Sequence, residues 1–463
     1  MIPRIVVAGT SSGAGKTTVA CGLIGALRDR GLTVQGFKVG PDYIDPSHHA
    51  LASGRPGRNL DAFLSGPELI APLVRHGGAG ADIAVIEGVM GMFDGVTGRG
   101  ELASTAHVAK LLDAPVVLVL DAGAMARSAA ALIHGFRTFD PDVRVAGIVF
   151  NRVGSDVHEQ LLREAVDDSG LPVLGALRRD ERIVTPERHL GLVPVAERED
   201  QAREALAALA SATARYVDLD AVVDLARSAP STTGAAWSPT AAVAATGDAA
   251  GKRSVDGPRV AIARGPAFSF HYTENLELLE AAGATLVPFD PLVDEALPED
   301  TDALVLAGGF PEVFGAELAA NVPLRTAIRA HAASGRAILA ECGGLLYLGG
   351  ALDEHEMCGV LPLRATMGRR LSLGYREATA VTATPWQPAG HVVRGHEFHY
   401  STVEPTDPGA APAWRLASRS VTRDDGIVRG GVQAGYLHVH WAAFPELAAG
   451  FVDATALVAG AAR

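Results

Sequence analysis

Cys342 closes the apolar run Ala337-Ile338-Leu339-Ala340-Glu341, and two glycines, Gly343 and Gly344, separate it from a helical pattern that resumes at Leu345-Leu346. Such a run predicts a buried strand that delivers a thiol to a sharp strand-to-helix turn. The glycines tolerate the tight backbone, and the first free helix N–H groups can stabilise a thiolate and a developing oxyanion. A thiol so placed can attack a carbonyl. Near the other end, Gly9-Thr10-Ser11-Ser12-Gly13-Ala14-Gly15-Lys16-Thr17-Thr18 follows the strand-like Ile5-Val6-Val7-Ala8 and precedes the helical pattern Val19 to Arg28. Backbone N–H groups from Gly13 to Thr18 can wrap a phosphate there, with Gly15 at the turn. Lys16 neutralises β and γ oxygens, and the Thr17 hydroxyl is placed for Mg²⁺. Five residues rather than four separate Gly9 from Gly15, and Thr10 holds the place of the standard first glycine.

Further acids and a lysine stand where strands should end. Lys38-Val39-Gly40-Pro41-Asp42-Tyr43-Ile44-Asp45-Pro46 follows a second strand, and Glu87-Gly88-Val89-Met90-Gly91-Met92-Phe93-Asp94-Gly95 a third. In open parallel sheets ligands collect beyond the carboxyl ends of strands, so both loops should converge on a triphosphate. Asp42 and Glu87 are the expected Mg²⁺ carboxylates beside Thr17. Asp45 and Asp94 are read either as additional ligands or as substrate-orienting groups, and Lys38 as a second phosphate-facing cation; solvated turn residues are the plainer reading for any one acid.

In the second half, Leu306-Ala307-Gly308-Gly309-Phe310-Pro311-Glu312 is a strand ending in two glycines, 33 residues before Cys342, and Tyr436-Leu437-His438-Val439-His440-Trp441 lies near the carboxyl end. A thiol attacking a carboxamide needs a base that takes its proton and returns it to departing ammonia, and N–H donors for the oxyanion. His438 is the expected base, with His440 the alternative; the donors are expected near Gly309 and Gly343. The segment Gly395-His396-Glu397-Phe398-His399-Tyr400-Ser401 alternates along a strand, with His396 and Phe398 on one face and Glu397 and His399 on the other. A structural role at the domain contact is expected for it, with substrate binding the alternative and a metal site a further one; Cys21 and Cys358 are expected to be structural.

The elements that must hold these groups follow from periodicity. Ile5 to Ala8, Val34 to Val39, Ile83 to Ile86, Val116 to Leu120 and Val145 to Phe150 alternate with Ala/Leu-rich helical stretches, predicting an α/β fold with a parallel sheet covered by helices on both faces. A second series starts at Val260-Ala261-Ile262-Ala263 and continues through Leu286-Val287 and Leu304 to Leu306; from about Leu371 short strands and turns are expected. Domains are expected at 1–225 and 258–463, joined by an Ala/Ser/Thr/Gly/Pro-rich linker over 226–257. A net charge of −13 without a Lys/Arg-rich block argues against nucleic-acid or anionic-membrane partners. Three widely spaced cysteines make neither a disulfide framework nor a zinc pair. With no signal-like start and no long apolar stretch, a cytoplasmic protein is expected.

The long phosphate loop, the Lys38 loop and Asn151-Arg152-Val153 resemble the dethiobiotin-synthetase-type ATPases, which make acyl or carbamoyl phosphates. The segments Lys38 to Pro46, Glu87 to Gly95 and Pro186-Glu187-Arg188-His189-Leu190-Gly191-Leu192 resemble more closely the cobyrinic or hydrogenobyrinic acid a,c-diamide synthases. The Gly-Gly-Phe-Pro-Glu and Glu-Cys-Gly-Gly turns resemble class I glutamine amidotransferases, in the subgroup attached to cobalamin and peptidoglycan amidation. The resemblance implies an ATP-binding amidoligase domain fused to a class I glutamine-amidotransferase-like α/β domain. It also implies Asn151 near the adenine and a large corrin polycarboxylate amidated at its a and c acetates, with ATP, L-glutamine and Mg²⁺ consumed or bound. A homodimer is among the expected assemblies. His440 stands where most class I enzymes carry a glutamate two residues after the histidine, so a Cys-His dyad is expected. Nickel-sirohydrochlorin and fourfold corrin amidation are the nearest alternatives. A ParA-like nucleotide switch would need a lysine where Ser11 stands and leaves Cys342 without a use.

Overall fold

The computed structural model describes residues 2–179, 187–188, 191–192, 195–231, 233–247, 257–407, 409–418 and 422–462. The chain divides into two units, Met1–Trp237 and Ser238–Arg463. In the first, the strands are β1 (Arg4–Gly9), β2 (Val34–Val39), β3 (Arg58–Leu60), β4 (Ile83–Glu87), β5 (Val116–Asp121), β6 (Val145–Val153) and β7 (Val173–Arg178). The helices are α1 (Lys16–Asp29), α2 (Ile44–Ser53), α3 (Pro67–Gly77), α4 (Thr105–Leu111), α5 (Ser128–Thr138), α6 (Asp156–Val166), α7 (Glu199–Tyr216) and α8 (Leu219–Arg227).

Among the described residues these strands form a seven-stranded sheet in the order β3-β2-β4-β1-β5-β6-β7, parallel at every pairing. β1, β2 and β4 are buried along their whole length, as strands covered on both faces must be, Gln35 and Lys38 of β2 included. Ile5, Val7, Val19, Leu23, Leu27, Val85, Val117 and Val149 form one core between sheet and helices; each such side chain contributes about 1.5–3 kcal/mol by leaving water. The register decides the site. Val7 and Lys38 both stand opposite Glu87, so the carboxyl ends of β1, β2 and β4 meet at one sheet edge. A small hairpin, β8 (Glu187–Arg188) with β9 (Gly191–Leu192), covers part of the segment from Pro186 to Leu192, whose residues 186 and 189–190 lie outside the described ones.

The second unit carries β10 (Arg259–Ala263), β11 (Thr285–Phe289), β12 (Ala303–Leu306), β13 (Ile338–Glu341), β14 (Ala351–Leu352), β15 (His355–Glu356), β16 (Leu363–Ala380), β17 (Val392–Pro405), β18 (Trp414–Ala417), β19 (Thr422–Asp425), β20 (Ile427–Arg429), β21 (Val432–Gly435) and β22 (His438–Val439). Its helices are α9 (Pro239–Ala245), α10 (Thr273–Ala281), α11 (Gly315–Ala320), α12 (Val322–Ala333), α13 (Gly343–Leu348) and α14 (Pro445–Ala462). A sheet in the order β11-β10-β12-β13-β21-β20, parallel except at β20, packs Leu304, Leu306, Ile338, Ala340 and Leu345 into a second core. A second sheet, β15-β14-β16-β17-β22, flanks it.

Two expectations need correction. From Leu371 the chain first runs as two long strands, β16 and β17, 18 and 14 residues long, that pair antiparallel with an irregularity between Met367 and Ser372; the short strands expected there begin only at β18. Arginines and glycines on the solvent side break the apolar alternation that would have marked β16 and β17. Part of the stretch expected as a linker is also structured, since Trp237 is buried with its ring 5.0 Å from that of His76, and α9 packs its buried Val243 toward α10 and α14. Residues 248–256 lie outside the described ones.

Candidate active sites

The loop from β1 to α1 is concave because Gly13 and Gly15 hold φ of 77° and 96°, values residues with a Cβ rarely adopt. Thr18 follows in the first turn of α1. A Cβ on Gly15 would lie 1.9 Å from Asn151 Nδ2. Asn151, expected near an adenine, donates that amide to the Ala14 carbonyl at 3.1 Å while its Oδ1 accepts the Arg152 N–H at 2.9 Å, so here it braces the loop from behind. The Lys16 ammonium donates to the carbonyls of Ser11 at 3.0 Å and Met90 at 2.5 Å. Met90 presents its carbonyl from a left-handed φ of 45°. Burial, aided by the neighbouring Lys38, lowers the Lys16 pKa to about 8 against the pull of Glu87, Asp45 and Asp94.

Glu87 is the hub of this edge. Its Oε1 accepts from Thr17 Oγ1 at 2.6 Å and from Lys38 Nζ at 2.7 Å, and its Oε2 lies 2.6 Å from His49 Nε2. Burial alone would push the Glu87 carboxyl up; Lys38 and His49 overcome it and hold it well below the usual range. Lys38 also reaches Asp45 Oδ2 at 2.5 Å and the Gly88 carbonyl at 3.1 Å. Burial opposes its charge, yet Asp45 and Glu87 keep its pKa above the ordinary value. Burial and then Glu87 push Asp45 well up, with Lys38 pulling against them. Asp42 stands apart from this hub. Its two oxygens accept the N–H groups of Ile44 at 3.2 Å and Asp45 at 3.0 Å, the capping pattern for the start of α2. Asp94 likewise accepts the Gly91 N–H at 3.0 Å, which shapes the loop carrying Met90.

A hydroxyl and a carboxylate side by side at a phosphate-shaped loop are hard oxygen donors that fit Mg²⁺, an ion that takes one or two carboxylates and completes its shell with phosphate oxygens and water. No group of three or more His, Cys, Asp or Glu among the described residues is arranged to hold a metal.

The second centre forms where β12 and β13 end and β22 begins. Cys342, between β13 and α13, has φ 48° and ψ −101°, a strained turn fixed by its N–H donating to the Gly435 carbonyl at 2.8 Å. Its Sγ lies 3.8 Å from the Phe398 carbonyl, to which the thiol donates. Burial, reinforced by Glu312, pushes the thiol pKa well up, against the Gly343 N–H. The resting sulfur is therefore protonated and needs a base. A Cβ on Gly343 would lie 3.1 Å from the Gly309 nitrogen, and one on Gly308 would lie 2.6 Å from His438 Cε1. The Gly308-Gly309 loop, the Cys342 turn and the His438 ring thus meet. His438 Nδ1 stands 3.3 Å from Glu341 Oε2.

His440 faces another way, with Nε2 3.5 Å from Glu274 Oε2 and its ring 4.7 Å from that of Tyr272. His396 links the two histidines: its ring stacks on His438 at 5.0 Å, and its Nε2 lies 3.0 Å from the Tyr272 hydroxyl oxygen. On the opposite face of β17, Glu397 is fully buried with Arg376 at 2.6 Å, Arg423 in contact and His399 at 3.6 Å. Burial would raise its pKa, but His399, Arg423 and Arg376 hold it at about 2. Cys21 and Cys358 are buried core thiols, and burial pushes Cys358 up to about 12.

Known proteins share this organisation. The family described as CobQ/CobB/MinD/ParA nucleotide binding domain matches residues 5–193, and the CobB/CobQ-like glutamine amidotransferase domain matches residues 259–446. The hydrogenobyrinate a,c-diamide synthase of Streptomyces coelicolor is 54% identical, with 98% of this chain and 97% of the relative covered. The chain belongs to the a,c-diamide synthase family. Another relative, the hydrogenobyrinate a,c-diamide synthase of Thermobifida fusca, is 50% identical over 98% of this chain and 97% of its own length. The cobyrinate a,c-diamide synthase of Syntrophotalea carbinolica is 46% identical over 97% and 98%. In this member of the family, two groups at the sites were not singled out from sequence: His49, buried on α2 against Glu87, and Glu341 as a neighbour of His438. For Glu341 a signal existed, an acid ending an apolar strand directly before the nucleophile; for His49 there was none.

Proposed function

We propose that this protein catalyses the ATP- and glutamine-dependent amidation of the a and c acetate carboxylates of hydrogenobyrinic acid. The metal-free corrin is preferred to cobyrinic acid because the relatives of 50% identity or more are named for it and the cobyrinate enzyme compared lies at 46%. A carboxylate does not exchange its oxygen for nitrogen at neutral pH, because oxide is a poor leaving group. In the first unit, Lys16 and the loop amides from Gly13 to Thr18 grip the triphosphate, and Lys38, paired with Asp45, offsets charge as the γ-phosphoryl passes to the substrate carboxylate, while Asp94 shapes the loop whose Met90 carbonyl meets Lys16. Mg²⁺, held by Thr17 and Glu87, supplies charge neutralisation when bound. Asp42 supports the site as the cap of α2. The acyl phosphate then yields to ammonia, forming the C–N bond and releasing phosphate.

The second unit supplies that ammonia. His438 takes the Cys342 proton, the thiolate sulfur adds to the glutamine carboxamide carbon, and N–H groups near Gly309 and Gly343 hold the oxyanion. As the C–N bond breaks, the proton moves from His438 to the departing nitrogen. Water, deprotonated by His438, then attacks the thioester, giving glutamate and the thiol. The reaction is placed in the cytoplasm, where its nucleotide and glutamine are supplied. The observation that carries this reading is the presence of both constellations, Lys16-Thr17-Glu87 and Cys342-His438, in one member of this family. Mass spectrometry of hydrogenobyrinic or cobyrinic acid incubated with protein, MgATP and glutamine tests it. Two successive OH-to-NH₂ exchanges are expected, lost in Cys342→Ala with glutamine but retained with ammonium chloride. An acceptor left unchanged under both nitrogen sources would refute it.

A further inference from the structure

We infer that Glu341 is the positioning residue of the thiol centre: from the strand position directly before the nucleophile, its carboxylate stands within ion-pair reach of His438 Nδ1 and orients the ring when it carries the proton. This rests on the assignment of Cys342 and His438 made above and adds a third member to it. An imidazole that takes a thiol proton becomes a cation with two N–H groups. If Nε2 serves the sulfur, Nδ1 needs an anionic acceptor that fixes the ring and favours the charged form. The position two residues beyond His438 offers no carboxylate, since His440 stands there and turns to Glu274 and Tyr272. Glu341 offers one from elsewhere, its Oε2 3.3 Å from Nδ1, an ion-pair distance that lacks hydrogen-bond alignment in the resting conformation.

The backbone explains how. Glu341 pairs with Gly435 in the β13–β21 ladder, and His438 begins β22 three residues later, so nucleophile, carboxylate and imidazole leave one sheet edge together. The other titratable groups facing this ring come from β17 and α10: His396 stacks on it, and Tyr272 stands behind His396. Both are uncharged partners that cannot balance an imidazolium. His438 is 1% exposed, so solvent does not substitute for the carboxylate. The cycle balances without Glu341 changing protonation: the Sγ proton moves to Nε2, the C–S bond forms, and the same proton leaves on ammonia as the C–N bond breaks.

The full chain is tested as Glu341→Gln and Glu341→Asp, with MgATP, acceptor and either glutamine or ammonium chloride. Glu341→Gln is expected to lower kcat for glutamine by ~10²-fold or more, as loss of an orienting carboxylate does elsewhere. KM for glutamine should stay within about twofold, and the ammonia-driven rate should equal that of the parent. Glu341→Asp should recover part of kcat. A Glu341→Gln kcat within about threefold of the parent overturns the inference, as does a rise in KM at constant kcat. If Glu341→Gln does not fold, Glu341→Asp decides: reduced kcat at unchanged KM supports the role, and parental kcat overturns it. Glutaminase that survives Cys342→Ala or His438→Ala removes instead the assignment on which this inference stands.

Discussion

Replacing Lys38 by methionine keeps most of its volume and deletes one buried charge between two acids. Lys38 lies 2.7 Å from Glu87 and 2.5 Å from Asp45, and its side chain is 5% exposed. At an effective dielectric of about 20, each pair attracts by roughly 6 kcal/mol before desolvation is counted. Removing one partner of a buried pair typically costs about 3–5 kcal/mol, because the remaining charge is left without compensation. Lys38→Met should therefore destabilise the first unit by about 3–5 kcal/mol at pH 7. The sign of the pH dependence follows from Glu87, whose folded pKa lies below its unfolded value while Lys38 is present. Its contribution is in place above the ordinary glutamate pKa and is lost as the medium becomes more acidic. In Lys38→Met the carboxyl loses its main stabiliser and burial raises it, so the gap between parent and variant should shrink as pH falls. Hydrogen exchange of peptides covering β1, β2 and β4, followed through a urea series, reads this unit separately. A loss below ~1 kcal/mol at pH 7, or a gap that widens with acid, would refute the charge-hub reading of Glu87.

Lys16, lowered to about 8 by burial, should bind MgATP with net proton uptake above that pH, and affinity should fall as pH rises through it; calorimetry in buffers of different ionisation enthalpy measures both, and binding without proton uptake at pH 9 would count against the loop lysine as the phosphate grip. Gly344→Ala places a Cβ 2.1 Å from the Leu306 carbonyl, a backbone atom that cannot swing away. It should cost ~2 kcal/mol or more in the second unit and depress glutaminase while leaving nucleotide binding intact, as thermal unfolding and a glutaminase assay would show.

What the sequence made legible depended on how much chemistry each segment concentrates. β1, β4, β5 and β6 are built on continuous apolar runs and β2 on Val34, Phe37 and Val39, and all five stand where periodicity put them, within a residue or a few. β3 is three residues, Arg58-Asn59-Leu60, two of them polar, and β7 follows Gly170-Leu171-Pro172 with a glycine inside it, so neither offered a pattern. The loops bearing Lys16, Glu87, Cys342 and His438 were readable because glycines beside reactive groups are rare without cause. Which acids meet which cations was not. Asp42 and Asp45 are three residues apart in sequence, yet Asp42 turns its oxygens to the N–H groups that open α2 while Asp45, in the first turn of that helix, pairs with Lys38, a division set by the path of α2. His49 meets Glu87 through the placement of α2, and Glu341 reaches His438 through the β13–β21 pairing, neither of which local spacing encodes.

Lys16 already spends its donors on two peptide oxygens, Ser11 and Met90, one of them held in a backbone conformation that a side chain resists. If Lys16 grips the triphosphate as proposed, nucleotide entry exchanges ligands on this ammonium, and the net gain is the difference between phosphate and amide oxygens. On that proposal the same two oxygens are available to take the lysine back when the nucleotide departs, which would keep the empty loop in its shape.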